Sequence, residues 1–151
     1  MLKDMLGDGA NRGSVDVQDI AYLPDDVTVL IGMTGDLQGV VLYGMSSRSA
    51  KNMVGAMMGE VLPVLNEMVE SGIAELGNII AGQAAIELEK MGYNCRISPP
   101  SVLLGRGYMI STVNIKGLHL PLETSHGKLR IYVALREATP GPSGGDSSRL
   151  A

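Results

Sequence analysis

The sequence predicts an α+β fold in which two long helices cover an antiparallel sheet. One observation is that the spacing of apolar residues changes twice along the chain, from a strand period to a helical period and back. Another is that the helical stretches carry start and stop residues, whereas the flanking apolar runs are short and rich in β-branched residues. Because 151 residues are enough for one core, we expect a single folded domain.

A β-hairpin is the first predicted element. Its strands are residues 27–33 (VTVLIGM) and 39–45 (GVVLYGM), which are short, apolar and rich in β-branched side chains. Residues 34–36 (Thr-Gly-Asp) lie between them and are typical of a turn. The two strands should therefore pair with each other.

Two helices follow the hairpin. The first is predicted to begin at an N-cap in the Ser46-Ser47 pair and to reach about Met58. The second is predicted to begin near Pro63, since proline is tolerated in a first turn, and to run to about Met91. Gly92 then supplies a C-cap. This second helix is the longest element of the chain.

Three strands are predicted after the proline pair at 99–100, over residues 108–115, 118–123 and 129–135. In the middle run, leucines alternate with polar residues and proline, which indicates one buried face. Pro121 lacks a backbone N–H, so we expect this strand to lie at an edge of the sheet.

The two ends of the chain differ from the middle in composition. We expect a flexible segment, or the remnant of a helix formed by residues 1–6, over residues 1–13. Residues 138–151 are mainly Pro, Gly, Ser and Asp, and we expect a disordered tail. The folded domain is predicted over residues 14–137.

Composition excludes several classes of function. A formal charge of −4 and a pI near 5.1 give no basic surface for nucleic acid or anionic lipid. Phe and Trp are absent, so few aromatic rings are present to stack on bases or sugars. Cys95 is the only cysteine, which fits a reducing compartment and a cytoplasmic protein. His119 and His126 have no partner at ligand spacing, so we predict no metal site.

A polar stripe runs along the second helix. Ser71, Glu75 and Asn78 are spaced four and three residues apart, which places them within about 60° of one another. Glu67, Gly82 and Glu89 extend the stripe. The opposite side is apolar and should pack on the sheet: Val69, Ile73, Leu76 and Ile80. Most polar stripes of this kind are simply solvated helix surfaces. Asn78 is the unusual member, because asparagine is a poor helix former inside a helix.

These residues carry a resemblance to a known family. Residues 71–82 (SGIAELGNIIAG), followed by 97–105 (ISPPSVLLG), resemble the CheC/CheX/FliY family of chemotaxis phosphatases. Its signature is Asp or Ser, then Glu, Asn and, farther on, Pro; here these are Ser71, Glu75, Asn78 and Pro100. The spacing from Asn78 to Pro100 is one residue shorter than the family pattern. A single Glu-x-x-Asn pattern makes the chain most similar to CheX.

The resemblance implies a CheC-like fold and a phosphatase that hydrolyses the aspartyl-phosphate of a CheY-like response regulator. It implies that Glu75 and Asn78 are the catalytic residues, with Ser71 and Pro100 supporting the motif. Asn78 would hold the attacking water, and Glu75 would pair with a lysine of the regulator. No cofactor of its own is expected, because Mg²⁺ is bound by the regulator. Members of this kind are expected to form homodimers through their strands.

A second interpretation stays open at this point. A member of the same family can also serve as a non-catalytic docking or dimerisation module for a response regulator. The chain has no P-loop and no cysteine in a glycine-rich anion-binding loop, so it lacks the sequence features of a self-contained phosphatase. Intact Glu75 and Asn78 favour the enzyme.

Overall fold

The computed structural model describes residues 11–12, 16–18, 20–23, 25–105, 108–111 and 117–138. The elements in chain order are β1 (Asn11–Arg12), β2 (Asp16–Gln18), β3 (Ile20–Leu23), β4 (Val27–Gly35), β5 (Leu37–Met45), α1 (Ser47–Met58), α2 (Glu67–Lys90), β6 (Cys95–Ile97), β7 (Ser101–Leu104), β8 (Tyr108–Ser111), β9 (Gly117–Thr124) and β10 (Gly127–Glu137).

An antiparallel sheet forms the centre of the fold, as predicted. Within the described residues it has eight strands in the order β1-β9-β10-β5-β4-β6, with β2 also beside β9 and β7 also beside β4. A separate two-stranded sheet pairs β3 with β8. Both helices pack on one face of the large sheet, where the main apolar core lies. A smaller buried group on the opposite face contains Leu42, Tyr132 and Ala134.

The predicted hairpin is confirmed as β4 and β5. Met33 pairs with Gly39, so each strand continues into the expected turn and Asp36 alone separates them. Gly39 has a φ of 150°, and a Cβ at this position would collide with the carbonyl oxygen of Ala134. On the helix side, Val27, Val29 and Ile31 alternate and are fully buried.

The first helix has the bounds that its sequence predicts. Ser46 is the N-cap, and its hydroxyl accepts a hydrogen bond from the backbone N–H of Ser49 at 3.0 Å. The carboxylate of Asp26 accepts a second bond from the N–H of Ser47 at 3.0 Å. Gly59 ends the helix in the left-handed conformation, with a φ of 72°.

The second helix begins later than predicted. It starts at Glu67 rather than near Pro63, because the side chain of Asn66 accepts a hydrogen bond from the N–H of Val69 at 3.2 Å and acts as the N-cap. A proline is tolerated in a first turn, but it does not supply the acceptor that starts one. The C-terminal end is close to the prediction, with Met91 as the C-cap.

The strands after the helices match the predictions in part. β9 and β10 confirm two of the predicted strands, are slightly longer than predicted, and pair with each other as a hairpin. β8 covers the first half of the predicted strand at 108–115, and residues 112–115 lie outside the described part of the chain. The short strands β6 and β7, on either side of the two prolines, were not predicted. Neither is long enough to show a clear two-residue period.

The predicted edge position of β9 is wrong. β10 pairs with one side of β9, and β1 and β2 pair with the other. Leu120 and Pro121 fall between the pairing of Leu122 with Arg12 and that of His119 with Asp16. On the side of β1 and β2, the proline therefore lies at a gap between two short strands, while on the other side it pairs with Arg130 of β10.

The predicted flexible segment at 1–13 contains part of this pairing, since Asn11 and Arg12 form β1. Residues 1–10 lie outside the described residues, as do residues 139–151 of the predicted disordered tail. The described chain ends at Ala138, whose N–H donates to the carbonyl oxygen of Asp36 at 2.8 Å.

Candidate functional site

The predicted polar stripe lies on the outer face of α2. Ser71 and Glu75 are exposed, and Asn78 is half-buried. Glu75 and Asn78 are separated by about 4.5 Å along the helix axis and by about 60° around it. The structure therefore brings Ser71, Glu75 and Asn78 to one continuous surface.

The inner face of α2 is buried against the sheet and α1. Its apolar side chains have at most 5% of their surface exposed: Val69, Ile73, Leu76, Ile80 and Ala81. Because the polar and apolar residues are separated by the helical period, burying one face exposes the other.

Two glycines set how closely α2 approaches its neighbours. A Cβ on Gly72 would come within 2.5 Å of the Val54 Cγ1 on α1. A Cβ on Gly77 would come within 3.0 Å of the Val29 Cγ1 on β4 and 3.5 Å of the Tyr43 Cδ2 on β5. Since Gly77 immediately precedes Asn78, the tight contact beneath the helix holds the backbone that carries the asparagine.

Tyr43 lies beneath α2 in this apolar layer. It is 4% exposed, and burial raises the pKa of its phenol to about 12. The phenol therefore stays neutral throughout the physiological range. Tyr43 therefore adds no charge to the core beneath the polar stripe.

The side chains of Glu75 and Asn78 have no partner within the part of the chain that the structure describes. Ion pairs there include those of Lys90 with Glu87, Lys128 with Glu123 and Arg130 with Asp25. No described residue makes a hydrogen bond or ion pair with the Glu75 carboxylate or the Asn78 amide. As far as the described residues are concerned, both groups are available to a partner molecule.

Pro100 lies on a different element from the other motif residues. It belongs to the connection between β6 and β7, and α2 packs against both of these strands. The connection is held to β4 at Ser98. The N–H of Gly32 donates to the Ser98 Oγ at 2.8 Å, and the N–H of Ser98 donates to the Gly32 oxygen at 2.9 Å. These two bonds occur just before Pro99 and Pro100, neither of which can donate one.

Two large apolar residues border the stripe and were not predicted to do so. Met68 is 49% exposed and Ile86 is 50% exposed. Both lie within about 60° of Ser71, Glu75 and Gly82 by helical spacing. Their spacing along α2 would have placed them beside the stripe, but methionine and isoleucine on an amphipathic helix are more often core residues.

The remaining candidates from the sequence do not assemble into a site. Cys95 is half-buried in β6 and forms no disulfide. Across the described ranges, no group of three or more His, Cys, Asp and Glu side chains is arranged to hold a metal ion. None of the described helices combines the length and the hydropathy needed to cross a bilayer.

Comparisons with known proteins agree on one family. Residues 27–123 match the family described as chemotaxis phosphatase CheX. Over 122 residues the chain is 35% identical to the CheY-P phosphatase CheX of Thermotoga maritima, which covers 80% of this chain and 78% of the relative.

Solved structures give the same result. The chemotaxis protein CheX from Desulfovibrio desulfuricans is similar, with a TM-score of 0.76 and 26% identity, covering 91% of each chain. CheX in the CheX-CheY-BeF3-Mg²⁺ complex from Borrelia burgdorferi is similar with a TM-score of 0.77 and 26% identity, covering 90% of each chain.

Proposed function

Because the chain belongs to the CheX family of chemotaxis phosphatases, we propose that it hydrolyses the aspartyl-phosphate of a CheY-like response regulator. The observation that carries this function is the outer face of α2, where Glu75 and Asn78 lie side by side without partners among the described residues. The Thermotoga relative is a CheY-P phosphatase, and the Borrelia relative has been crystallised with CheY.

Asn78 is proposed to position the attacking water. The Oδ1 of its amide can accept a hydrogen bond from a water molecule while the Nδ2 donates another, which orients the water toward phosphorus. The water oxygen forms a bond to phosphorus as the bond between phosphorus and the aspartyl oxygen breaks. The aspartate leaves as a carboxylate, and the water proton goes to the inorganic phosphate product.

Glu75 is proposed to align the two proteins. Its exposed carboxylate lies one turn before Asn78 and is placed to pair with a lysine near the phosphoryl group of the regulator. Mg²⁺ would be held by the regulator, where it stabilises charge on the phosphoryl oxygens. Ser71 and Pro100 are assigned supporting roles, Ser71 on the same helix face and Pro100 in the β6–β7 connection.

We also propose that the protein forms a homodimer and works in the cytoplasm. In the described part of the sheet, β6 and β7 pair only with β4, which leaves one side of each available to a second copy. This replaces β9 as the candidate edge. A mass close to that of one chain in light scattering at micromolar concentration would contradict the dimer.

A phosphate-release assay tests the proposed function. Purified protein is mixed with a panel of CheY-like regulators phosphorylated in the presence of Mg²⁺, and inorganic phosphate is followed over time. We expect at least one regulator to lose phosphate faster than it does alone. Binding to a regulator activated with beryllofluoride, without faster phosphate release from any of them, would favour the docking module instead.

A further inference from the structure

Gly82 differs from the other two glycines of α2. At Gly72 and Gly77, a Cβ would approach Val54 and Val29 closely, so packing explains the missing side chain. At Gly82, a Cβ would have no heavy atom of the described residues within 4 Å. The part of the fold that the structure describes therefore leaves open space at this position.

The backbone does not explain this glycine either. Gly82 lies well inside α2 and does not have the positive φ that favours glycine elsewhere in the chain. Alanine is a better helix former than glycine at such a position. The stability of the fold would therefore be improved by a side chain that the sequence does not have.

Gly82 lies next to the candidate catalytic residue. It follows Asn78 by four residues, which is about 6 Å along the axis and about 40° around it. Side chains in a helix lean toward its N-terminus, so a side chain at 82 would cover the turn that carries Asn78. It would occupy part of the space through which a partner approaches the amide.

We propose that Gly82 determines access to Asn78: the absence of a side chain admits the regulator segment that carries the phosphorylated aspartate. This inference rests on the proposed function. The regulator must bring its phosphoryl group to within one hydrogen-bonded water of Asn78, and its own backbone must then lie close to the surface of α2. A bare helix surface beside Asn78 meets that requirement, and added side-chain bulk prevents it.

Graded substitution tests the proposal. Gly82→Ala and Gly82→Leu are compared with the wild-type protein for thermal stability, for binding to a beryllofluoride-activated CheY-like regulator and for release of inorganic phosphate. We expect both variants to melt at or above the wild-type temperature. We expect Gly82→Leu to lower kcat/KM by about 10- to 100-fold and to weaken binding, with a smaller loss for Gly82→Ala.

Ala56→Leu on α1 is the matched control, because it adds bulk at an exposed helical position on the other helix. It should leave phosphate release unchanged. If the wild-type protein is active and Gly82→Leu is equally active, the proposed role of Gly82 is overturned and the proposed function stands. A wild-type protein that neither binds nor dephosphorylates any regulator would overturn the proposed function and this inference with it.

Discussion

On its inner face, α2 presents apolar side chains that are almost fully buried, and two glycines let it approach α1 and the sheet closely. On its outer face, the same helix presents Ser71, Glu75 and Asn78, together with Gly82, where a Cβ would meet no described heavy atom within 4 Å. Packing explains each residue of the inner face. It explains few of those on the outer face, where an asparagine and a glycine are both poor choices for helix stability. The inner-face residues hold the helix in place, whereas the packing of the fold does not account for the choice of residues on the outer face.

The largest effect is expected from Asn78→Ala. If the outer face serves the reaction, this variant should reduce stimulated dephosphorylation by about 10²- to 10³-fold, the scale of losing one positioned hydrogen-bonding group. Its free energy of unfolding should change by no more than about 0.5 kcal/mol, because no core contact is lost. Phosphate release and urea denaturation measure the two quantities. Asn52→Ala, an exposed asparagine on α1, is the control and should retain activity.

Leu76→Ala should have the opposite pattern. Leu76 is 1% exposed, so truncating it leaves a cavity under α2 and should cost about 3 kcal/mol of unfolding free energy. Urea denaturation measures this loss. Ile86→Ala removes a comparable side chain that is 50% exposed on the same helix and should cost less than about 1 kcal/mol. Equal losses would contradict the division between the two faces.

Tyr43→Phe tests the inner layer through pH. The folded pKa of about 12 exceeds the ordinary value of 10.0, so the unfolded phenol ionises first as the pH rises. The neutral phenol of Tyr43 therefore contributes to the free energy of unfolding in full below about pH 10, and this contribution is lost between about pH 10 and 12. By linkage this loss is about 2–3 kcal/mol. The alkaline decrease in unfolding free energy should be smaller by that amount in Tyr43→Phe. Identical alkaline profiles would argue against a buried, neutral phenol.

The smallest of these effects is expected from Glu75→Ala. Removing the carboxylate should raise KM about tenfold and reduce the salt dependence of binding, with a smaller change in kcat. Steady-state kinetics at two ionic strengths would measure this. Glu87→Ala is the control, since Glu87 is an exposed carboxylate about 120° around the same helix. Similar effects of the two substitutions would indicate a general charge effect instead of a specific pairing.

Local signals predicted the parts of the fold that local chemistry determines. The Ser46-Ser47 pair contains the N-cap, and α1 has the predicted bounds. The start of α2 was misplaced because Pro63 is permitted in a first turn, whereas Asn66 provides the capping acceptor. The predicted edge position of β9 was wrong because its neighbours β1 and β2 come from a distant part of the chain. No pattern within residues 118–123 indicates them.

The candidate site also has features that the sequence predicts and features that depend on tertiary packing. Helical spacing and the family motif are enough to predict that Ser71, Glu75 and Asn78 share the outer face of α2. The exposure of Met68 and Ile86 and the open space at Gly82 were not predictable, because both depend on which neighbours pack against α2. A sequence period identifies a face, but tertiary packing decides how wide the exposed part is.

The pairing of β5 has a consequence for folding kinetics. Gly44 pairs with Thr28 in the neighbouring strand and with Arg130 in β10, which is 86 residues away. Closing this long loop brings high contact order, and contacts of this kind slow folding. The whole of α2 lies within the loop. The side chain of Asn78 faces away from the sheet that closes this loop. For that reason we expect Asn78→Ala to refold at the wild-type rate in stopped-flow experiments. A slower rate would contradict this expectation.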